Sequence, residues 1–377
     1  MNPVRNKKPE ISTNAPTAGR ISNGMKVLMF SSDPWVDEAG SAVFLRMREY
    51  AKVLDKLEII KIDAKDGKLF RFWKGYKKAR AVLLREKFDL ITAQEIEHSF
   101  LAWKLSKKFS VPWQMQIHAD IFSPYYFRGS FFNKIRIWLA SFLIPRADGI
   151  RVVSERIKNS ILKTINYKLP TIRVLPIYSD ASKPKGWLDI KKKYPGYELY
   201  VLMASRLTHE KNISLALDAF REIVNKGPEI LLVIVGDGLL RTRLEDEAKY
   251  GLEGNVYFEG WKSAEDLADY YQSADCLLIT SNYEGYSLAA LEALGSRLPV
   301  LMTDVGLAHE VVKDGQNGII FPVGDRSALV GSLTKIKNDK TFLKKLSEGA
   351  KNTPRPYVSF DDYRNKLVES WKACLKR

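Results

Sequence analysis

The stretch CLLITSNYEGYSLAALEALGSRLPVLMT, residues 276–303, holds the fold in miniature. Cys276–Thr280 is an apolar run of strand length, followed by a polar turn marked by Gly285. An apolar helical run then starts near Tyr286 or Ser287, and Leu298-Pro299 leads into a second short strand, Val300–Thr303. Two strands joined through a helix read as a parallel pair, because parallel neighbours need such a crossover. One carboxylate, Glu284, precedes the helix, and another, Glu292, lies within its apolar run. Their purpose depends on the rest of the chain.

Outward from there, the alternation repeats. Strand-like runs fall at Lys26–Phe30, Glu58–Asp63, Asp89–Ala93, Trp113–His118, Gly149–Val153 and Thr171–Leu175. A second set follows at Tyr200–Ala204, Ile230–Val235, Asn255–Glu259, Cys276–Thr280, Val300–Thr303 and Gly318–Phe321. Helix-period segments such as Ser41–Leu54 and Phe131–Leu143 separate them. This predicts an α/β protein with two Rossmann-like, doubly wound domains, residues 25–178 and 198–353, since near-continuous apolar strands need helices on both faces. Residues 179–197 read as the linker and 1–24 as a disordered tail. Residues 354–377 read as a terminal helix capped by Ser359 or Asp361, with Tyr363, Leu367, Trp371 and Leu375 at four-residue spacing. Doubly wound sheets bind ligands outside the carboxyl ends of their strands, so the expected site is a cleft between the domains.

The 377 residues, 45% of them apolar, suit two cores better than one. Two cysteines, Cys276 and Cys374, cannot build a disulfide framework, and no Cys/His cluster has zinc spacing. The longest apolar run, around 137–145, is too short to cross a bilayer, and no signal-peptide pattern opens the chain. A cytoplasmic location follows. The formal charge of +16 is carried by the first half: residues 1–199 hold +18 and residues 200–377 hold −2. Residues 65–87 contain nine Lys/Arg against two acids, and residues 124–146 contain four basic residues, no acids and seven aromatics. Such segments suit the inner, anionic face of a membrane. The face of Phe131, Ile135, Trp138, Leu139 and Phe142 would equally serve as core. Charge and aromatics aside, no nucleic-acid signature is present, so no nucleic acid partner is expected.

Phosphate chemistry concentrates in the second half. Arg206 and Lys211, in SRLTHEKN after the strand Tyr200–Ala204, offer a planar fork and a point charge to a diphosphate. A solvated charged turn would look the same. Gly236, in the GDG that ends the strand Ile230–Val235, permits close approach of a nucleotide or a plain tight turn. Glu284 suits a helix cap. Glu292, between Leu291 and Ala293, needs a partner such as a ribose diol or a buried cation. The two acids share one short element beside the cations, which argues against a glycosidase pair facing each other across a bond.

Taken together, SNYEGYSLAALEAL, SRLTHEKN, VGDG, FEGW, SADCLLITS and TDVGLAHEVVKDGQNGIIFP resemble, in order and spacing, the retaining glycosyltransferases of family 4, with their E-x7-E motif and two-Rossmann GT-B fold. The resemblance is strong over about 200–325 and architectural over 25–178. It implies a terminal helix that returns to the N-terminal domain. It implies that Arg206 and Lys211 neutralise the departing nucleotide diphosphate, and that Glu284 faces the donor sugar. Backbone N–H groups of Gly285, Tyr286, Ser287 and Leu288 would surround sugar and phosphate, Glu292 would bind the ribose, and Gly260–Trp261 would border the base. Gly40 is similar to the family's glycine-rich turn, and His118 aligns with the histidine over the donor sugar. By itself His118 reads either as a satisfied structural histidine or as a cleft residue.

The chain departs from the family where paired glycines become Gly40–Ser41 and Gly306–Leu307, and where a glycine becomes Arg297, a cation that would alter the turn or reach the cleft. The expected reaction is metal-independent transfer, with retention, of a hexose from a UDP- or GDP-sugar to a lipid-linked or cell-surface glycan. No cofactor is expected beyond that nucleotide-sugar donor, and no DxD-type metal motif is evident. The rivals are a sugar-nucleotide epimerase or phosphorylase of the same fold, and a non-catalytic basic scaffold.

Overall fold

The computed structural model describes residues 24–67, 70–179, 184–225 and 229–375. The tail expected at the N-terminus, up to residue 23, and residues 180–183 of the linker lie outside them. The first sheet comprises β1 (Lys26–Ser31), β2 (Lys56–Lys61), β3 (Leu90–Gln94), β4 (Trp113–Ile117), β5 (Gly149–Val152) and β6 (Ile172–Val174). The second comprises β7 (Leu199–Ala204), β8 (Ile230–Val235), β9 (Val256–Gly260), β10 (Cys276–Ile279), β11 (Val300–Thr303) and β12 (Gly318–Phe321). Their orders are β2-β1-β3-β4-β5-β6 and β12-β11-β10-β7-β8-β9. Every pair is parallel, as the crossover in residues 276–303 requires. The central strands β8, β10 and β11 are buried throughout, because helices cover both faces.

Strand β2 starts at Lys56 rather than Glu58. A slip of two residues keeps the same side chains on the same face, so alternation alone cannot fix this boundary. The helix Ala42–Ala51 is capped by Ser41, whose Oγ accepts the Phe44 N–H at 3.0 Å. The terminal helix spans Phe360–Lys372, and its cap is Ser359, not Asp361. Tyr363, Leu367 and Trp371 pack with Val27, Met29 and Tyr50 of the first domain. The seam is also polar: Arg151 Nη2 donates to Tyr363 Oη at 3.2 Å, and Gln114 Nε2 donates to the Ser370 carbonyl at 3.1 Å. Leu375 lies beyond this helix in a 3-10 turn and is partly exposed, so the four-residue stripe stops at Trp371.

The helix Phe131–Leu143 divides its aromatic face. Ala140 and Leu143 are buried, and Leu139 and Phe142 pack against the core. Phe131 and Trp138 are 72% and 68% exposed, and Phe132 and Ile135 also face outward. The face is therefore core at one end and open surface at the other. The basic helix Phe70–Arg85 likewise exposes Phe70 and Trp73, with Lys77 Nζ stacked 3.6 Å from the Trp73 ring centre.

Candidate active site

Strands β7 and β10 are neighbours in the second sheet, although β8 and β9 intervene in the chain. Their following connections leave towards opposite sides, which opens a crevice at the carboxyl edge. Lys211 enters it from the 3-10 turn His209–Lys211 after β7, and Glu284 enters from the loop after β10. Lys211 Nζ lies 2.5 Å from Glu284 Oε1, and the two side chains are only 17% and 13% exposed. Ser281 Oγ donates to the same carboxylate oxygen at 2.7 Å, and Thr280 Oγ1 holds the Lys211 carbonyl at 2.9 Å. The diphosphate cation and the sugar-facing acid of the sequence reading are thus partners of one another. Their separation of 73 positions left no local trace of the pairing.

These residues line a cavity of about 310 Å³ with His118, Ser205, Tyr286 and Ser287. Gly285 is needed where the domains meet: a Cβ there would stand 1.6 Å from the His118 carbonyl oxygen. The Gly285 carbonyl in turn accepts from Ser154 Oγ at 3.2 Å. Ser287 adopts φ 71° and begins the helix Leu288–Gly295 without capping it through its side chain. Ser287 Oγ and Tyr286 Oη are buried with no hydrogen-bond partner among the described residues, as is His118 Nε2. Uncapped helix-start N–H groups and unpartnered hydroxyls in one cavity suit an anionic, hydroxylated ligand. Burial, reinforced by Arg151 and Arg46, holds the His118 imidazole down from its ordinary 6.5 to about 3. It is neutral at neutral pH and offers hydrogen bonds without charge.

Other predicted residues sit elsewhere. Glu292 accepts from Tyr271 Oη at 3.2 Å and Ser179 Oγ at 3.3 Å, beside a separate cavity of about 70 Å³. Burial pushes its carboxyl up, and those two bonds oppose the shift. Among the described residues, those two hydroxyls are the hydrogen-bond partners of its carboxylate. Arg206 is 78% exposed, 3.6 Å from Glu210, and does not line the 310 Å³ cavity. Gly236, at φ 137°, meets the Ser205 carbonyl so closely that a Cβ would stand 1.9 Å from it, and its N–H donates to the Gly260 carbonyl. Backbone packing explains that glycine. Gly260 has φ 68°, Trp261 is exposed, and Gly40 has φ 90° with open space around it. None of these three lines the cavity.

Arg297 keeps the turn and does not reach the cleft. It adopts φ 66°, the left-handed conformation natural to glycine, and borders a groove of about 810 Å³ with Lys340 and Lys344. Gly306 retains φ 53° beside Ser287, and Leu307 is fully buried where a second glycine would stand.

A latch across the cleft was invisible in the sequence. The Glu310 carboxylate accepts the backbone N–H of Glu155 at 3.0 Å and of Arg156 at 3.4 Å, at the start of the helix Glu155–Thr164. Arg156 Nη2 lies 2.5 Å from Asp304 Oδ1, and its guanidinium also reaches the carbonyls of Gly306 and Ala308. Carboxylates favour helix starts, but here the helix belongs to the other domain.

Two family models match the chain in succession: Glycosyltransferase Family 4 over residues 42–178 and Glycosyl transferases group 1 over residues 188–353. An uncharacterized glycosyltransferase of Methanocaldococcus jannaschii is 30% identical over 48% of this chain and 46% of its own length. Alpha-monoglucosyldiacylglycerol synthase of Streptococcus pneumoniae is 24% identical over 73% of this chain and 66% of its own. The chain therefore spans about half and about two thirds of these relatives. Among solved structures, sucrose-phosphate synthase of Thermosynechococcus elongatus superposes with TM-score 0.77 at 19% identity, covering 92% of this chain and 98% of that one. HepE of Anabaena in complex with UDP gives 0.70 at 19% identity, covering 93% and 100%. These likenesses carry the GT-B fold.

Proposed function

Because this chain belongs to the glycosyltransferases, with its halves matching family 4 and group 1, we propose that it moves a hexose from a UDP- or GDP-sugar to a glycolipid or glycan, with retention of configuration. The Lys211–Glu284 pair at the edge of the second sheet carries this reading. As the glycosidic bond breaks, negative charge grows on the diphosphate; Lys211 and the helix-start N–H groups near Ser287 stabilise it. Glu284 is held by Lys211 and Ser281, so it positions and balances charge rather than acting as a free nucleophile. His118 borders the sugar as a neutral hydrogen-bonding group. Lys211 supplies the cation that a metal would otherwise provide.

The acceptor side of the reading rests on surface chemistry. Phe131, Phe132 and Trp138 stand exposed near Arg128 and Lys134, and Trp73 and Lys77 stand on the basic helix. Aromatic and basic side chains together suit an anionic leaflet, at which the protein would act peripherally from the cytoplasm. No described helix is long and apolar enough to cross a membrane. The similarity to alpha-monoglucosyldiacylglycerol synthase supports a lipid-linked acceptor. A thermal-shift panel of UDP, GDP, ADP and their sugars tests the donor assignment: a selective rise with one base supports it, and no response to any nucleotide refutes it.

A further inference from the structure

On the other side of Glu284 from the donor cavity lies a second cavity, of about 190 Å³. Both domains build it: Asp120, Phe122 and Tyr125 from the first, Tyr283, Glu284 and Asp304 from the second. It is smaller than the roughly 300–1,000 Å³ of pockets that enclose a whole drug-sized ligand, and suits a single ring or a short polyol.

Asp120 lies two residues past His118, beyond the end of β4, where a doubly wound sheet meets its ligands. Burial pushes the Asp120 carboxyl up, while the Ser160 hydroxyl, Arg156 and the Phe122 and Ser123 N–H groups pull it the other way. Yet Oδ1 is buried with no hydrogen-bond partner among the described residues. A buried carboxylate oxygen left bare is costly, and a donor arriving with a ligand removes that cost.

The charges around the cavity decide which donor fits. Arg156 is the cation among its lining residues, and its guanidinium is committed to Asp304 and to the carbonyls of Gly306 and Ala308. Glu284 is committed to Lys211. An arriving phosphate or carboxylate would face Asp120 and Asp304 with no free cation to meet it. A hydroxyl group meets an acceptor that lacks a partner, and Phe122, Tyr125 and Tyr283 offer flat apolar walls for the C–H face of a ring.

We propose that this cavity is the acceptor subsite and that it takes a neutral polyol, a sugar ring or glycerol-like group, one hydroxyl of which donates to Asp120 Oδ1. The inference rests on the transferase reading above and names its acceptor class. A second hydroxyl of the same group faces the donor cavity across Glu284. The bond from the anomeric carbon to the diphosphate oxygen breaks, a bond from that carbon to the acceptor oxygen forms, and the hydroxyl proton passes to the departing diphosphate. Charged or lipid portions of the acceptor stay outside, towards the exposed aromatic surface that starts at Phe127 and Phe131.

The test uses the full chain with UDP-glucose and GDP-mannose as donors, and follows nucleotide release. Methyl α-glucoside, glycerol and myo-inositol are the neutral probes; glucuronate and glycerol 3-phosphate are the anionic ones. The neutral probes should accelerate release and the anionic ones should not. Asp120→Ala should lower the probe-stimulated kcat/KM about 10- to 100-fold, mainly through KM, while the donor still raises the melting midpoint as in wild type. Asp120→Asn, which keeps an oxygen acceptor and the shape of the site, should lose less than the alanine variant. Stimulation by the anionic probes alone, or an unchanged probe KM in both variants, would overturn the assignment. Binding of donor with no acceleration by any neutral probe would also overturn it while leaving the transferase reading standing. No binding or turnover of either donor would overturn both.

Discussion

The carbonyl of His118 and the α-carbon of Gly285 meet across the two domains with no room for a methyl group; a Cβ on Gly285 would stand 1.6 Å from that oxygen. The contact sets His118 of one sheet edge at the cavity that Lys211 and Glu284 of the other also line. The first domain contributes His118 and Ile177 to that cavity, and the second domain contributes the rest of its lining.

Gly285→Ala should hold the domains apart. Forcing a methyl into a packed seam costs about 1–3 kcal/mol, which shifts the equilibrium away from the closed form by about 5- to 150-fold. Small-angle scattering should show a larger radius of gyration, with unchanged circular dichroism and lowered transfer. A wild-type radius and rate would show that the contact has no such role.

His118 gives a pH signature. Its folded pKa of about 3 lies below the ordinary 6.5, so the unfolded chain binds the proton first as pH falls. Stability contributed by the neutral ring is complete above about 6.5 and declines from there towards about 3. Urea titrations at pH 7 and pH 5 should show a smaller loss for His118→Gln than for wild type. An identical loss would mean that the ring titrates normally in the fold. Transfer rates, in turn, should show no His118 titration between pH 5 and 8.

Anionic vesicles should bind the protein through the exposed aromatics. Phe131→Ser with Trp138→Ser should lower flotation with phosphatidylglycerol vesicles by about tenfold or more, and added salt should weaken binding of both proteins. Equal absence of binding to anionic and neutral vesicles by wild type would remove the membrane from the account.

The terminal helix should fasten the first domain. Trp371 is fully buried among Val27, Met29 and Tyr50, and its truncation to alanine should cost about 3–5 kcal/mol. The measurable outcome is early loss of first-domain structure on heating, followed by hydrogen exchange in β1 and β5. Unchanged protection there would separate the helix from the core.

What was legible followed from local chemistry. Strand β8, with its run ILLVIV, and the short apolar strands β10 and β11 on either side of a helix announce a buried parallel sheet. Lys211 and Glu284 were legible as types at strand ends. Their ion pair was not, because it depends on β7 and β10 being neighbours. The need of Glu292 for partners was legible, but its protein partners were not: Tyr271 lies in a helix 21 positions earlier and Ser179 lies 113 positions earlier. Gly236 read either as a nucleotide glycine or as a tight turn because close backbone approach has one sequence signature, and in the structure the close neighbour is the Ser205 carbonyl. Arg297 was a puzzle only while its conformation was unknown; it occupies the glycine-like φ and points its charge at another groove. The Glu310 latch joins residues more than 150 positions apart.

The central claim is that Lys211 stabilises the departing diphosphate. The direct measurement is kcat of Lys211→Ala at saturating donor, on protein whose melting midpoint confirms that it is folded. Losing one member of a charge-stabilising site typically slows turnover about 100- to 1000-fold, and a fall of that size is the predicted result. A folded variant with near-wild-type kcat would contradict the account.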